Sequence, residues 1–191
     1  MNALAPSILI FSTLLVQLSS GINYVTIPVV MTEQGYGHSL IGSAMAFEIL
    51  GMLLLFKPLS SLVAQLGLRT CMGLLTLMRA VSLMLMGHSE SYPLWLFCIG
   101  LYGLATGMTL VMSQTWLNLL AQAKSRGVLM GLFSSALSCG VALGPLVLQL
   151  PWLNDGETFE LNTWMTGLPC VLLLLCPRQG NTQDNIGKDT I

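Results

Sequence analysis

Two residues could do chemistry where none is expected. Glu48 and Arg79 each lie near the middle of an apolar run in a chain that is only 8% charged. A charge left alone at such a depth in lipid costs on the order of 3 kcal/mol on insertion scales. Three arrangements relieve that cost. The two side chains pair and lock the second and third runs together, or Glu48 is protonated, or both face a water-filled cavity. The first is structural; the others mark a proton or solute site. All three stay open on the sequence. A second group of polar residues, Gln17, Ser19, Ser20, Asn23 and Tyr24, interrupts the first run. They either bond across helices, worth about 1 kcal/mol each, or line a path, with Asn23 and Tyr24 on its face. Thr106, Thr109 and Ser113 are spaced three and four apart, so they share one helical face. Hydroxyls in apolar helices often bond only their own backbone, and that is the simpler reading of the two threonines. Gln114 and Asn118 flank Trp116, an interfacial anchor by type. They read as a gate or as plain interfacial residues.

Catalytic and metal chemistry find little support. His88 and Ser134 are the pieces closest to a base and a nucleophile, but no G-x-S-x-G and no paired metal ligands accompany them. The five cysteines, Cys71, Cys98, Cys139, Cys170 and Cys176, lie in or against apolar runs with no C-x-x-C. They read as small buried hydrophobes. The expectation is no catalytic residue, no metal and no cofactor.

The elements that must hold these residues follow from composition. The 191 residues are 54% hydrophobic, whereas a soluble domain is about 25% charged. So few charges cannot cover a water-facing surface, and lipid must do so. The net charge of −1 excludes a strongly basic nucleic-acid binder. A hydrocarbon core needs about 20 apolar residues per helix. Spans are predicted at 7–31, 39–56, 70–87, 93–117, 127–150 and, shorter, 163–176. The first lacks a basic leader region and reads as a span, not a cleaved signal. Residues 179–191 form a polar tail, predicted to be disordered and cytoplasmic. The reading is an all-α polytopic membrane protein with six transmembrane helices in residues 1–178.

Loop charges set the topology. The second and fourth loops carry Lys57, Arg69, Lys124 and Arg126 and no acid. The first, third and fifth carry Glu33, Glu90, Asp155, Glu157 and Glu160 and neither Lys nor Arg. Arg178 and Lys188 return to the basic side. Basic loops mark the cytoplasm, so both termini are predicted there.

Small residues complete the pattern. Gly127/Gly131 and Gly140/Gly144 are small-xxx-small pairs, and Pro145 follows. In water each helical glycine costs about 1 kcal/mol against alanine; in lipid it lets backbones approach. The stretch Gln114-Thr115-Trp116-Leu117-Asn118, then Arg126-Gly127-x-x-x-Gly131, then Gly140-x-x-x-Gly144-Pro145 resembles the N-terminal six-helix half of a major facilitator superfamily transporter. It is similar in particular to the bacterial drug/sugar-porter-like group with W-L-N at the end of span four. The likeness covers the chain to about Arg178. The family's loop after span two reads G-x-x-x-D-R-x-G-R-R/K, and of this only Gly67 and Arg69 survive. Ala64 stands where the aspartate that latches the inward gate belongs, and Gln114 where relatives often carry an acid. Both departures argue against ordinary proton-coupled gating.

The resemblance implies secondary transport of a small solute in the bacterial inner membrane, with the proton as a candidate coupling ion. The candidate substrate or coupling residues, read from their polarity in or at the ends of apolar runs, are Asn23, Tyr24, Glu48, Arg79, Gln114 and Asn118. The resemblance implies Gly67, Arg69, Arg126, Gly127 and Gly131 as gating or packing positions, and a span-five bend at Gly140, Gly144 and Pro145. Such transporters hold solute between two halves that rock against each other. The expected partners are therefore the bilayer and a second six-helix half or second copy, with a truncated or split gene the favoured explanation. The competing expectation is a non-transporting membrane subunit.

Overall fold

A computed structural model describes residues 4–53, 63, 65–122, 125–149 and 155–175. Among them run six α-helices and no strand: α1 (Leu4–Glu33), α2 (His38–Leu53), α3 (Leu68–Gly87), α4 (Tyr92–Leu120), α5 (Arg126–Val147) and α6 (Asp155–Leu175). The first five follow the apolar runs. Residues 6–33, 70–87, 92–120 and 126–147 are each long and apolar enough to cross a bilayer. The continuation of the second run to residue 56 lies outside the described residues. So do Lys57, Lys124, Cys176, Arg178, Lys188, residues 60–62, Ala64 and the tail 179–191.

The sixth helix departs from expectation. It begins at Asp155, not near 163, so Asp155, Glu157 and Glu160 belong to its first turns and not to a loop. Acidic residues there complement the positive end of the helix dipole. The charges extend the helix beyond its apolar run instead of ending it. Glycine is required at two turns, where Gly35 (φ 83°) and Gly67 (φ 80°) take the left-handed conformation.

Consecutive helices are mostly not the partners. α1 packs chiefly on α5, α2 on α4 and α3 on α6, with further contact between α3 and α4 and between α1 and α6. Replacing α1, α2 and α3 by α4, α5 and α6 and the reverse maps this set of pairs onto itself. Such self-mapping is the mark of an internal three-helix repeat, as in transporter halves. Helix directions alternate as six crossings require. Gly140 and Gly144 of α5 meet Gln17 and Gly21 of α1 in parallel register. Asn162 and Thr166 of α6 bond Asn23 and Ser19 of α1 in antiparallel register.

Two glycine seams hold the parallel pairs. At α1/α5, a Cβ on Gly21 would strike the Val141 carbonyl, and one on Gly144 would lie 2.6 Å from the Gly21 Cα. Pro145 has no N–H, so it leaves that Val141 carbonyl without its usual i+4 donor. Gly21 therefore lets α1 close on a carbonyl that the proline has freed. At α2/α4, a Cβ on Gly51 would strike the Gly100 carbonyl, one on Gly103 the Glu48 carbonyl, and one on Gly107 would lie 3.2 Å from the Met52 Cβ.

The interior is layered along the helices. One end is apolar: Ile27, Met31, Ala44, Met86, Trp95 and Phe159 cluster there, with Trp95 and Phe159 edge to face at 6.0 Å. The other end is apolar too, around Leu9, Cys71, Met72, Met112, Leu117 and Phe133. Between the two lies a polar layer. Large apolar side chains such as Phe47, Leu50, Val81, Phe97 and Leu132 point outward, the arrangement lipid favours over water.

Candidate functional site

The polar layer is built by helices converging on Arg79. α3 carries Arg79, fully buried at 0% exposure. Its Nη2 donates to the Val16 carbonyl (3.4 Å) and to Ser20 Oγ (3.0 Å) on α1, and to the Tyr102 hydroxyl (2.9 Å) on α4. The guanidinium also lies 4.8 Å from the centre of the Tyr102 ring, within cation–π range. Around it runs a chain of hydrogen bonds with one direction. Asn162 Nδ2 of α6 donates to Asn23 Oδ1 (2.8 Å), and Asn23 Nδ2 to the Tyr102 hydroxyl (2.9 Å). That hydroxyl donates to Ser20 Oγ (3.3 Å), which donates to the Val16 carbonyl (3.1 Å). The chain ends on a backbone acceptor that has no proton to pass on. It is a scaffold holding Arg79, not a proton wire.

The scaffold leaves Arg79 incompletely satisfied. Among the described residues Nε and Nη1 have no hydrogen-bond partner, and these two nitrogens carry three of the five guanidinium N–H bonds. Glu48, on α2, is 5% exposed. Its carbonyl lies against Gly103, next to the Tyr102 that Arg79 bonds, so the acid and the base sit at one depth. Yet among the described residues Arg79's hydrogen bonds all go to α1 and α4, with none to Glu48. The simple pairing of consecutive runs does not form because α2 packs on α4, not on α3. Asn23 is 1% exposed and forms part of the scaffold, whereas its neighbour Tyr24 is 47% exposed. The two residues expected on one face therefore lie on different sides of α1.

A cleft between α1 and α4 runs from this layer toward the α1 N-terminal end. It is lined by Leu9, Ser12, Thr13, Val16 and Gln17 of α1 and by Thr106, Thr109, Leu110 and Ser113 of α4, with Met72 of α3 beside them. It has room for about one water molecule. Thr13 and Thr106 donate to their own helices, at Leu9 and Tyr102. Ser12 Oγ and Thr109 Oγ1 are buried without a hydrogen-bond partner among the described residues. The backbone-bonding reading thus holds for Thr106 and not for Thr109.

The α4–α5 motif is a separate cluster at the end where the basic turn lies. Arg126 Nε donates to Asn118 Oδ1 (2.8 Å), and Asn118 Nδ2 to the Gln114 carbonyl (3.0 Å). The side chain of Gln114 is exposed. Gly140 and Gly144 form the α1/α5 seam, while a Cβ added at Gly127 or Gly131 would meet nothing within 4 Å. Pro145 lies inside α5. Gly67 caps α3; Arg69 lies in its first turn. His88 bonds its own helix, at the Met84 carbonyl, and Ser134 is exposed on α5. Among the described residues no three His, Cys, Asp or Glu side chains gather to hold a metal. Cys71 and Cys98 are buried as expected; Cys139 is exposed.

Reading the chain alone passes over Tyr102 and Asn162. A tyrosine or asparagine in an apolar helix is legible as polar, but its partners lie 79 and 139 residues away. No spacing rule connects them.

Comparison with known proteins agrees with this architecture. The family model described as Major Facilitator Superfamily matches residues 9–178. No individually curated protein matches the chain. Six helices in a self-mapping arrangement, a polar layer inside a lipid-facing shell and a family match over most of the length lead to one assignment: the chain belongs to the Major Facilitator Superfamily of transporters.

Proposed function

We propose that this chain is one six-helix half of a gradient-driven transporter that moves a small solute by alternating access. The observation that carries the reading is the pair of buried opposite charges, Glu48 and Arg79, at one depth in the bundle but not hydrogen-bonded to each other. Intramembrane charges are expensive and mark coupling or substrate sites by default. Two buried charges at one depth that are not bonded to each other can exchange partners during a cycle. Tyr24 supplies an exposed face beside them, Asn23 holds the scaffold, and Gln114, Asn118 and Arg126 form the gate at the basic end. A second six-helix half completes the path, because such transporters carry solute between two halves. Basic loops support a cytoplasmic location for both termini, in a bacterial inner membrane.

The test is flux in proteoliposomes containing the full chain, with a pH step across the membrane. Wild type should move solute in response to the gradient, and Glu48→Gln should move it without that response. An unchanged pH dependence in the variant would remove Glu48 from coupling. Absence of flux for every solute tried, with the chain folded, inserted and assembled with a second half, would remove the transport reading.

A further inference from the structure

We infer that the α1/α4 cleft is a binding site for an oxyanion, a carboxylate or phosphate group on a small solute, and that Arg79 closes its inner end. The inference rests on the transport reading for its purpose, but its evidence is separate. The cleft wall continues into the Arg79 scaffold on both helices. On α1 it runs through Val16, whose carbonyl accepts from Arg79, and Ser20 lies one turn further. On α4 it runs through Thr106, which donates to the Tyr102 carbonyl one turn further. At the end of this polar wall lies a buried cation with two unpartnered nitrogens, Nε and Nη1. Along the wall lie two buried hydroxyls, Ser12 and Thr109, also unpartnered. Buried polar groups are normally satisfied, and orphans call for an explanation. The four orphans named here share one chemistry, whereas Asn162 Oδ1, an orphan acceptor, does not line the cleft. Guanidinium N–H groups only donate, and a free hydroxyl can donate. A group that accepts from all of them and balances a positive charge is an oxyanion.

The cleft has a way to open. α1 is tied to α5 by Gly21, Gly140 and Gly144, and α4 is tied to α2 by Gly51, Gly103 and Gly107. The cleft therefore separates two tightly joined helix pairs. As it stands it has room for about one water, so a solute enters when those pairs part. Glu48 rides on the α2/α4 pair and is the buried acid at the depth of Arg79. It is the group an entering anion must compete with.

The experiment measures binding on the purified full chain in detergent, by calorimetry, at constant ionic strength set with chloride. The probes are sodium lactate, inorganic phosphate, glycerol and choline. Lactate or phosphate should bind saturably, and which of them binds tells carboxylate from phosphate. Arg79→Lys keeps the charge, but its single nitrogen is consumed by Val16, Ser20 and Tyr102; binding should weaken by about tenfold or more. Glu48→Gln should tighten it several-fold, since a competing negative charge is gone. If Arg79→Lys does not fold, the double variant Ser12→Ala/Thr109→Val serves instead. It removes only unpartnered hydroxyls, and it should weaken binding without loss of stability. No anion binding to wild type, equal binding by Arg79→Lys, or binding of glycerol or choline alone would overturn the site. The last outcome would leave the transport reading intact. Anion binding by the chain, with no flux of any solute once a second half is present, would uphold the site while sinking transport.

Discussion

Alanine at Gly103 and alanine at Gly100 should have opposite effects, although the two glycines are three residues apart on one helix. A Cβ on Gly103 would strike the Glu48 carbonyl and lie 2.8 Å from its carbon and 3.0 Å from its Cα. These are backbone atoms and cannot rotate aside. To reach ordinary contact α2 and α4 must part by roughly 1 Å, a gap at which each packed atom pair forfeits a quarter to a half of its dispersion energy. Overpacking in well-packed interiors costs about 1–3 kcal/mol, occasionally more. Taken with the opened seam, Gly103→Ala should destabilise by about 2–4 kcal/mol. Gly100→Ala meets nothing within 4 Å and removes backbone freedom from the unfolded chain. It should be neutral or stabilise by up to about 1 kcal/mol. The same contrast should hold between Gly144→Ala, whose Cβ would lie 2.6 Å from the Gly21 backbone, and Gly131→Ala, which meets open space. Steric-trapping unfolding in bicelles reads these differences directly. Equal effects at Gly103 and Gly100 would refute the seam and, with it, the register of α2 on α4.

Tyr102→Phe keeps the ring beneath Arg79 but removes the hydroxyl that accepts from Asn23 and Arg79. It should cost about 1–3 kcal/mol, read by the same unfolding assay, and a neutral result would mean the scaffold is not formed. Asn23→Ala and Asn162→Ala should be coupled in a double-mutant cycle by about 0.6–1.7 kcal/mol, the range seen for bonds between membrane helices; strict additivity would break the α1–α6 link. Arg126→Ala should change stability by less than about 1 kcal/mol, because its bond to Asn118 is exposed, while slowing flux if the α4–α5 cluster gates the path. Ser91→Cys and Gln122→Cys lie at opposite ends of α4, and an impermeant thiol reagent should reach only the first from outside the cell. Labelling of Gln122→Cys from outside would reverse the topology.

How much of this is legible in the chain depends on the range of each interaction. The spans can be read because hydrophobic length is a local property: α1, α3 and α5 begin and end close to their apolar runs. The α1/α5 seam is half legible, since Gly140 and Gly144 announce a close approach without naming Gly21 as its target. The start of α6 is misread from sequence because a run of acids looks like a loop, when acids at a helix N-terminus stabilise the helix. The polar layer is the least legible, for a physical reason. Sequential elements are often neighbours in space, and pairing Glu48 with Arg79 relies on that habit. In this bundle α2 turns to α4, and α3 turns to α4 and α6. The acid and the base are thereby carried on different seams. What remains of Arg79 after α1 and α4 have taken their share is set by that topology, and neither residue's place in the chain reveals it. In lipid the unmet donors of a buried cation have no solvent to fall back on. Their answer must come from the protein's own moving parts or from what it carries. The polar layer, placed between two apolar ends, is where that choice is made.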